Sequence, residues 1–253
     1  MRTAYRSSLD DFSHDLVSMC EYASRAMEKA SAALLRGSLQ KAEEALSMAD
    51  HLEELRLRCE ERAVQLLALQ APVASELRQV ISSIYIVEDL DRMGALSMHI
   101  GRTARRRHPA SAVPEQLRPQ FVELTSLLKE MSQKVLTLLA NPDADLALEL
   151  YRDDDAVDAI NAEVLNTLTQ QDWDGSTREA VEAALLLRYF ERWADHCVNV
   201  SGRVYFFTSG LTPEQNADAT PLRRDEDAIR RRFDDMQRTF TRDYYPGRGQ
   251  SRS

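Results

Sequence analysis

The chain repeats part of its own sequence. When the sequence is shifted by 105 positions, Asp50–Leu55 falls on Asp155–Ile160, so that acidic residues meet acidic ones and apolar residues meet apolar ones. A shift of 100 positions places Glu88–Met93 on Arg188–Trp193, including one aligned acid-Arg pair. Similarity over such a period is typical of one supersecondary unit used twice. The alternative is a chance likeness between two amphipathic bundles, which share the same apolar spacing.

Each copy is predicted to contain three long helices. Apolar residues recur in steps of three and four, which is the period of an amphipathic helix. The chain has only eight glycines and eight prolines in 253 residues, as expected when helices dominate. The predicted helices span residues 8–36, 38–69, 72–107, 115–140, 142–171 and 176–208.

Long helices joined by short turns pack side by side as antiparallel bundles. We therefore predict an all-α fold of two tandem antiparallel three-helix bundles, followed by a C-terminal tail helix. The predicted repeat units are residues 7–108 and 115–210, and the tail is 211–253.

The tail begins with a linker, LTPEQNADATPL, and continues into an apolar stripe. The stripe consists of Ile229, Phe233, Met236 and Phe240, and arginines surround it. This pattern predicts an amphipathic helix that docks on a partner or an anionic surface. The alternative is a seventh helix packed on its own bundle.

Charge and composition exclude several classes of protein. The net charge is −9, with 41 acidic against 32 basic residues, which is the opposite of the balance that neutralises nucleic-acid phosphates. We predict no nucleic-acid partner. The first residues, MRTAYRSSLDDF, lack an apolar stretch, so we expect no signal peptide, and no apolar run reaches about 18 residues. The three widely spaced cysteines suit a reducing compartment. These features predict a cytoplasmic protein.

Four acidic residues form a candidate metal site in the second copy. Glu191 and Asp195 are four residues apart, so they lie on one helix face, one turn from each other. Asp155 and Asp158 join them if the preceding helix packs antiparallel. A bound cation would relieve the repulsion between these carboxylates. In so acidic a chain, however, about six such pairs arise by chance, and most are solvated helix faces.

Three segments resemble the PhoU family. The segment RYFERWADHCVNV resembles the family pattern R-Y-L-E-R-I-G-D-H-A-x-N-I. The corresponding segment of the first copy, EDLDRMGALSMHIG, is similar to the family pattern D-L-E-R-I-G-D-x-A-x-N-I. A third segment, LLALQAPVASELRQV, is similar to the pattern L-L-A-x-Q-x-P-x-A-x-D-L-R. The likeness extends over residues 7–210 and includes both copies.

The resemblance implies metal binding. In the PhoU family, an acid-x-x-x-Asp motif on the third helix of each copy is associated with bound transition-metal clusters, of the iron or zinc class. The implied ligands here are Glu191, Asp195, Asp155, Asp158, Asp91, Asp50 and Glu53. Ala95 departs from the motif, so the N-terminal site is expected to be weaker or empty. We expect no catalytic residue and no organic cofactor.

The resemblance also implies a function. It predicts a negative regulator of phosphate uptake and of the phosphate-starvation response. Such a protein is an adaptor between the ATPase of the phosphate ABC transporter and a phosphate-sensing histidine kinase. It would reach the membrane only through these partners, and we expect a homodimer and no enzymatic activity.

Two other classes stay open. One is a helical scaffold without metal. The other is a metal-dependent helical-bundle enzyme of the ferritin type, which needs Glu-x-x-His on two helices, whereas the nearest match, Asp11–His14, occurs once. Metal content together with a redox or hydrolase assay separates the three classes.

Arginines close the predicted third helix. They are Arg102, Arg105, Arg106 and Arg107. Cations at this position favourably meet the negative end of the helix dipole. The alternative is a contact with an anionic lipid or a partner.

Overall fold

The computed structural model describes residues 2–69, 74–170 and 173–215, and every regular element within them is helical. The helices are α1 (Arg2–Arg36), α2 (Leu39–Leu46), α3 (Ala49–Leu69), α4 (Ala74–Arg107), α5 (Arg118–Ala140), α6 (Ala144–Thr169) and α7 (Thr177–Ser209). A 3-10 turn at Glu115–Leu117 precedes α5. The predicted all-α fold is confirmed.

The predicted second helix, 38–69, is two helices in the structure. It is interrupted at Ser47 and Met48, between α2 and α3. The Ser47 hydroxyl donates to the Glu44 carbonyl at 3.0 Å, and the Met48 amide donates to the Ala45 carbonyl at 3.1 Å. A serine that bonds to nearby backbone competes with the helical ladder, which explains the break. The predicted start of the third helix near Pro72 and the end of the fifth at Gln171 lie outside the described residues.

Capping residues fix several helix ends. Gly37 after α1 has a φ of 62°, and Gly210 after α7 has a φ of 79°, a left-handed conformation that favours glycine. Ser176 begins α7 with a capping box, in which Ser176 and Glu179 each bond to the other's backbone amide.

Helices α4 and α7 form the junction between an N-terminal half (α1–α4) and a C-terminal half (α5–α7). The two helices run antiparallel, because their contacts follow opposite orders along the chain. The contacting pairs are Tyr85 with Arg203, Asp89 with His196, His99 with Tyr189, and Arg107 with Glu182. Helix α1 packs on α5 across the same junction.

One apolar core extends through both halves. Phe12, Phe121, Phe190 and Trp193 are among its largest fully buried side chains. The rings of Phe121 and Phe190 meet edge to face at 5.8 Å, joining α5 to α7.

Small residues let neighbouring helices approach closely. A Cβ atom added to Gly94 would stand 2.9 Å from Leu52 Cδ1, so α4 lies close against α3. In the C-terminal half, the Ser201 hydroxyl of α7 donates to the Ala147 carbonyl of α6 at 3.1 Å. Acidic side chains on α3 and α4, and on α6 and α7, are therefore brought face to face.

The described residues up to Leu211 form one compact unit, and a second unit begins at Thr212. The described part of the second unit contains a 3-10 turn at Pro213–Gln215. The tail stripe of Ile229, Phe233, Met236 and Phe240 lies outside the described residues, so the tail helix stays a prediction. No helix within the described chain is long and apolar enough to span a membrane.

Candidate functional site

The C-terminal acidic cluster lies where α6 packs antiparallel on α7. We define it as Asp154, Asp155, Asp158, Glu191 and Asp195. Helical spacing places Asp154 and Asp158 one turn apart on α6, and Glu191 and Asp195 one turn apart on α7. The four predicted residues of this site are thus brought to one helix pair, together with a fifth.

Burial and mutual repulsion govern this cluster. Burial, followed by the charges of neighbouring carboxylates, raises the pKa of Asp154 to about 7. The same two causes raise the pKa of Asp158, where every acting charge is also a carboxylate. The negative charges of Asp154 and Asp158 are therefore poorly compensated.

Two arginines of α7 lie next to the acidic residues Glu191 and Asp195 of the same helix. The Arg188 Nη1 group donates to Glu191 Oε2 at 2.7 Å, and Arg192 Nε lies 3.9 Å from Asp195 Oδ2. Burial and the charge of Glu191 raise the pKa of Asp195, although both arginines act in the opposite direction. The arginines therefore do not cancel the cost of charging Asp195.

Asp154 was not among the residues predicted from the sequence. A shift of 105 positions places Ala49 on Asp154, so the repeat offers no acidic counterpart. The available signal was its four-residue spacing from Asp158, which puts both side chains on one helix face. The adjacent Asp153 points elsewhere and accepts from Lys134 Nζ at 2.8 Å.

We define the N-terminal acidic cluster as Glu53, Glu60, Glu88 and Asp91, and it already contains a cation, the guanidinium group of Arg56. The Arg56 guanidinium donates twice to Glu53, at 2.9 and 2.6 Å, and also bonds to Glu60. Its Nε atom lies 4.0 Å from Asp91 Oδ1. Arg56 thus joins the predicted residues Glu53 and Asp91. Within the described chain, no ion pair or hydrogen bond brings the exposed Asp50 into this network.

The ionised form of the Asp91 side chain is nevertheless unfavourable, because its pKa is raised. Burial raises its pKa, Arg56 opposes the shift, and Glu88 and Glu53 add to it. The pKa of Glu53 is lowered because it accepts hydrogen bonds from Arg56. Arg56 was not predicted as part of the site, since arginine is not a metal ligand.

The donor chemistry suits a hard or borderline cation, because the C-terminal cluster offers carboxylate oxygens whose charges repel. As the side chains stand, however, no group of three or more His, Cys, Asp or Glu residues in the described ranges is placed to hold one ion. Metal binding would therefore require side chains of the C-terminal cluster to change their positions.

A partly buried polar contact joins α7 to α4 next to the cluster. The His196 Nδ1 atom lies 2.9 Å from Asp89 Oδ1, and the Asn199 amide donates to the same oxygen at 3.3 Å. Cys197 is a buried free thiol. His196 therefore joins the two halves, while its neighbour Asp195 faces α6.

Comparison with known proteins identifies the family. The PhoU domain model matches residues 16–104 and again 121–204. The chain is 40% identical over 213 residues to "Phosphate-specific transport system accessory protein PhoU homolog 2" of Mycobacterium tuberculosis, covering 84% of this chain and 100% of that protein. It is 39% identical over 216 residues to the PhoU homolog 1 of Mycobacterium leprae, covering 85% and 97%.

Solved structures agree. The crystal structure of PhoU from Pseudomonas aeruginosa superimposes with a TM-score of 0.77 at 25% identity, covering 82% of this chain and 100% of that one. The phosphate transport system regulatory protein PhoU from Streptococcus pneumoniae shares the fold, with a TM-score of 0.73 at 20% identity over 82% of this chain and 98% of that one. The resemblance seen in the sequence motifs is thus confirmed: this chain belongs to the PhoU family.

Proposed function

We propose that this chain is an accessory protein of a phosphate-specific transport system, and a negative regulator of phosphate uptake and of the phosphate-starvation response. The observation that carries the proposal is its likeness to a named accessory protein, at 40% identity over that protein's whole length. The chain acts at the cytoplasmic side of the membrane as a homodimer. It bridges the transporter ATPase and the phosphate-sensing histidine kinase.

Metal binding is part of this proposal. The C-terminal cluster takes a transition-metal ion of the iron or zinc class through Asp155, Asp158, Glu191 and Asp195, with Asp154 as a further donor. The N-terminal residues Asp50, Glu53 and Asp91 form a second site that is weaker or empty, because Arg56 already supplies positive charge to Glu53 and Asp91. A bound ion supplies positive charge where burial and repulsion raise the pKa values of Asp154 and Asp158.

The ion pairs of α7 link metal binding to partner binding. Arg188 is paired with Glu191, and Arg192 lies near Asp195. A cation that takes these two acids leaves both guanidinium groups without their carboxylates. They are then available to acidic side chains of a partner, because guanidinium groups pair well with carboxylates.

Co-purification tests the adaptor role. The full chain is used to capture the transporter ATPase and the sensor kinase at high and at low phosphate. Capture of both at high phosphate is the expected result. Failure to capture either would leave the helical scaffold as the better description.

Metal analysis tests the ion. We expect purified protein to carry metal, and Asp195→Ala to carry less. Glu43→Gln is a matched control, because Glu43 is an exposed acid on α2 that lies 3.5 Å from Arg105 and belongs to neither acidic cluster. Equal metal in the wild type and in Asp195→Ala would contradict ligation at this cluster.

A scaffold without metal is the second candidate. It is favoured by the arginines that already pair with Glu191 and Asp195, and by the lack of a three-ligand group within the described chain. Partner capture by metal-free protein would select it. A metal-dependent enzyme is the remaining alternative, and we propose no catalytic residue. Redox or hydrolase activity that depends on bound metal would overturn that assignment.

A further inference from the structure

The last turns of α4 carry an excess of positive charge. From Arg92 to Pro114 the chain has five arginines and no acidic residue, although its net charge is −9. The helix dipole accounts for cations in the last turn of a helix, which here contains Arg105, Arg106 and Arg107. Arg102 precedes that turn, so the dipole does not account for the whole group.

Two of these arginines are without an acidic partner. Within the described chain, neither Arg102 nor Arg106 forms an ion pair or a hydrogen bond with a carboxylate. Helical spacing places them one turn apart on the exposed side of α4. Arg92, farther along the same helix, is instead paired with Glu88 at 2.9 Å. The charges of Arg102 and Arg106 are therefore available to an anion outside the chain.

The start of α7 adds a further positive charge beside them. Arg107 Nε lies 3.3 Å from Glu182 Oε2, and Arg178 Nε lies 3.6 Å from Glu182 Oε1. One carboxylate thus balances only one of two guanidinium groups. The Arg178 side chain is 74% exposed and that of Arg107 is 20% exposed, so the remaining charge faces water at Arg178. Arg105 lies 3.5 Å from Glu43, which balances it.

Exposed apolar side chains lie beside these arginines. Val181 and Leu185 of α7 are 54% and 48% exposed, and they are one turn apart on one helix face. Leu185 lines the same depression between α4 and α7 as Arg102 and Arg106. We define the basic apolar surface as Arg102, Arg106, Arg178, Val181 and Leu185. It combines uncompensated positive charge with apolar side chains at one end of the α4–α7 pair.

We propose that the basic apolar surface binds directly to the anionic surface of a lipid bilayer. The negative potential of such a surface attracts arginines, and each one near it raises the binding constant about fivefold. Val181 and Leu185 enter the boundary between headgroups and acyl chains, where interfacial helices place their apolar side chains. Binding through so few groups is reversible, so the contact orients the chain at the membrane without anchoring it permanently.

The apolar members of this surface favour a bilayer over an acidic protein segment. Binding hot spots between proteins are enriched in tryptophan, tyrosine and arginine in desolvated pockets, and are poor in leucine and valine. Here the apolar members are one valine and one leucine, each about half exposed on a helix. A fluid boundary adapts to such side chains, whereas a protein partner needs a complementary shape.

The biological meaning of this contact rests on the accessory role proposed above, in which the chain works beside a membrane transporter. Binding to vesicles is measured without any partner protein. Vesicle binding without capture of the ATPase or the kinase would keep the surface and reject the adaptor role. Capture of both partners by a chain that binds no vesicles would do the reverse.

The test is co-sedimentation of the full chain with vesicles of phosphatidylcholine and phosphatidylglycerol in equal parts, and with vesicles of phosphatidylcholine alone. We expect binding to the anionic vesicles only, and weaker binding as salt is added, because salt screens the charges. Arg102→Ala combined with Arg106→Ala should weaken binding about 25-fold. Leu185→Ser should weaken it about fivefold at any salt concentration, since half of this side chain still has apolar area to bury.

Two matched controls remove the same groups elsewhere. Arg6 is an exposed arginine near the start of α1, about 45 Å along this helix from its other end. That other end lies beside the end of α4, because His108 Nδ1 is 3.1 Å from the Gly37 carbonyl oxygen. Val64 is 64% exposed on α3. Arg6→Ala and Val64→Ser should therefore bind vesicles like the wild type.

A lysine variant separates charge from guanidinium geometry. Arg102→Lys combined with Arg106→Lys keeps both charges but loses the planar fork that pairs with one carboxylate or phosphate. It should bind anionic vesicles nearly as well as the wild type, because the potential of a bilayer acts on charge. Loss of binding in this variant would show recognition of a single anionic group and would overturn the proposal.

The alanine variant locates the contact within the chain. The C-terminal tail has its own arginine-flanked apolar stripe, so binding by the wild type alone does not identify the surface. Equal binding by the wild type and the double alanine variant would assign the vesicle contact to another part of the chain and overturn the proposal. Absence of vesicle binding, with partner capture lost in the alanine variant, would assign the surface to an acidic protein segment. Circular dichroism checks that each variant is folded.

Discussion

The two acidic clusters occupy matching places in the two halves, yet their charges are balanced differently. In the N-terminal cluster, Arg56 bonds to Glu53 and Glu60 and lies 4.0 Å from Asp91. A shift of 105 positions places Asn161 of α6 on Arg56. The N-terminal half therefore carries a guanidinium group where the C-terminal half carries a neutral amide.

This single difference teaches that the spacing of acidic residues does not by itself define a cation site. The pKa of Asp154 rises to about 7 because burial and four neighbouring carboxylates act on it together. Arg56 instead lowers the pKa of Glu53 and opposes the rise at Asp91. A cation from solution has more repulsion to relieve in the C-terminal cluster.

Asp154→Asn should produce the largest change in stability. A raised pKa in the folded state means that charging Asp154 destabilises the fold, so the free energy of unfolding falls as pH rises from about 4 to about 7. Without divalent cations at pH 8, we expect the variant to be more stable than the wild type by on the order of 2 kcal/mol. At pH 4 this difference should vanish, because Asp154 is then protonated in the folded protein. Urea denaturation at both pH values measures it.

Asp50→Asn is the control for that comparison, because Asp50 is an exposed acid of the N-terminal half. We expect it to change stability by less than about 0.5 kcal/mol at either pH. Equal stabilisation by both variants would show that the destabilising repulsion comes from the net negative charge of the whole chain, and not from the C-terminal cluster.

The N-terminal cluster should gain a cation when its guanidinium is removed and its missing acid restored. In Arg56→Met with Ala95→Asp, the carboxylates of Glu53, Glu60 and Asp91 lose their internal partner and gain a fourth neighbour. We expect one additional Mn²⁺ per chain by equilibrium dialysis. Free Mn²⁺ at ten times the dissociation constant should then raise the free energy of unfolding by about 1.4 kcal/mol.

Ala95→Asp alone separates the two causes. With Arg56 in place, the added acid should bring no additional Mn²⁺, because the guanidinium already neutralises the cluster. If Ala95→Asp alone bound an additional Mn²⁺, the absence of an acid at position 95, and not the presence of Arg56, would be what prevents metal binding in the N-terminal cluster.

A smaller effect is expected at Asp91 when Arg56→Met is made alone. Arg56 opposes the raised pKa of Asp91, so its loss should raise this pKa further and return that of Glu53 towards its ordinary value. The change at Asp91 is modest because Arg56 Nε is 4.0 Å away and both groups are partly exposed. Carboxyl chemical shifts followed through a pH titration measure both groups. An unmoved Asp91 would show that burial alone sets its pKa.

The sequence predicted the parts of this molecule that depend on local pattern. Helix type and most helix ends followed from apolar period and from Gly, Ser and Pro positions, as at Gly37 and Ser176. The break at Ser47 was not predicted. It depends on the hydrogen bond from the Ser47 hydroxyl to the Glu44 carbonyl, which does not change the spacing of apolar residues. Arg56 was missed for another reason. Its role depends on how α3 faces α4, which the spacing of residues within one helix does not determine.

The smallest effect is expected at Glu88, on the exposed edge of the N-terminal cluster. Its side chain is 61% exposed and pairs with Arg92 one turn away on the same helix. Exposed pairs of this kind contribute little, because water screens the charges and two long side chains must be ordered. Glu88→Gln should therefore change the free energy of unfolding by less than about 0.5 kcal/mol. It should also lower the pKa of Asp91 slightly, since Glu88 is one of the charges that raise it. A large loss of stability in this variant would mean that the exposed Glu88–Arg92 pair stabilises the N-terminal cluster more than the ion pairs of Arg56 do.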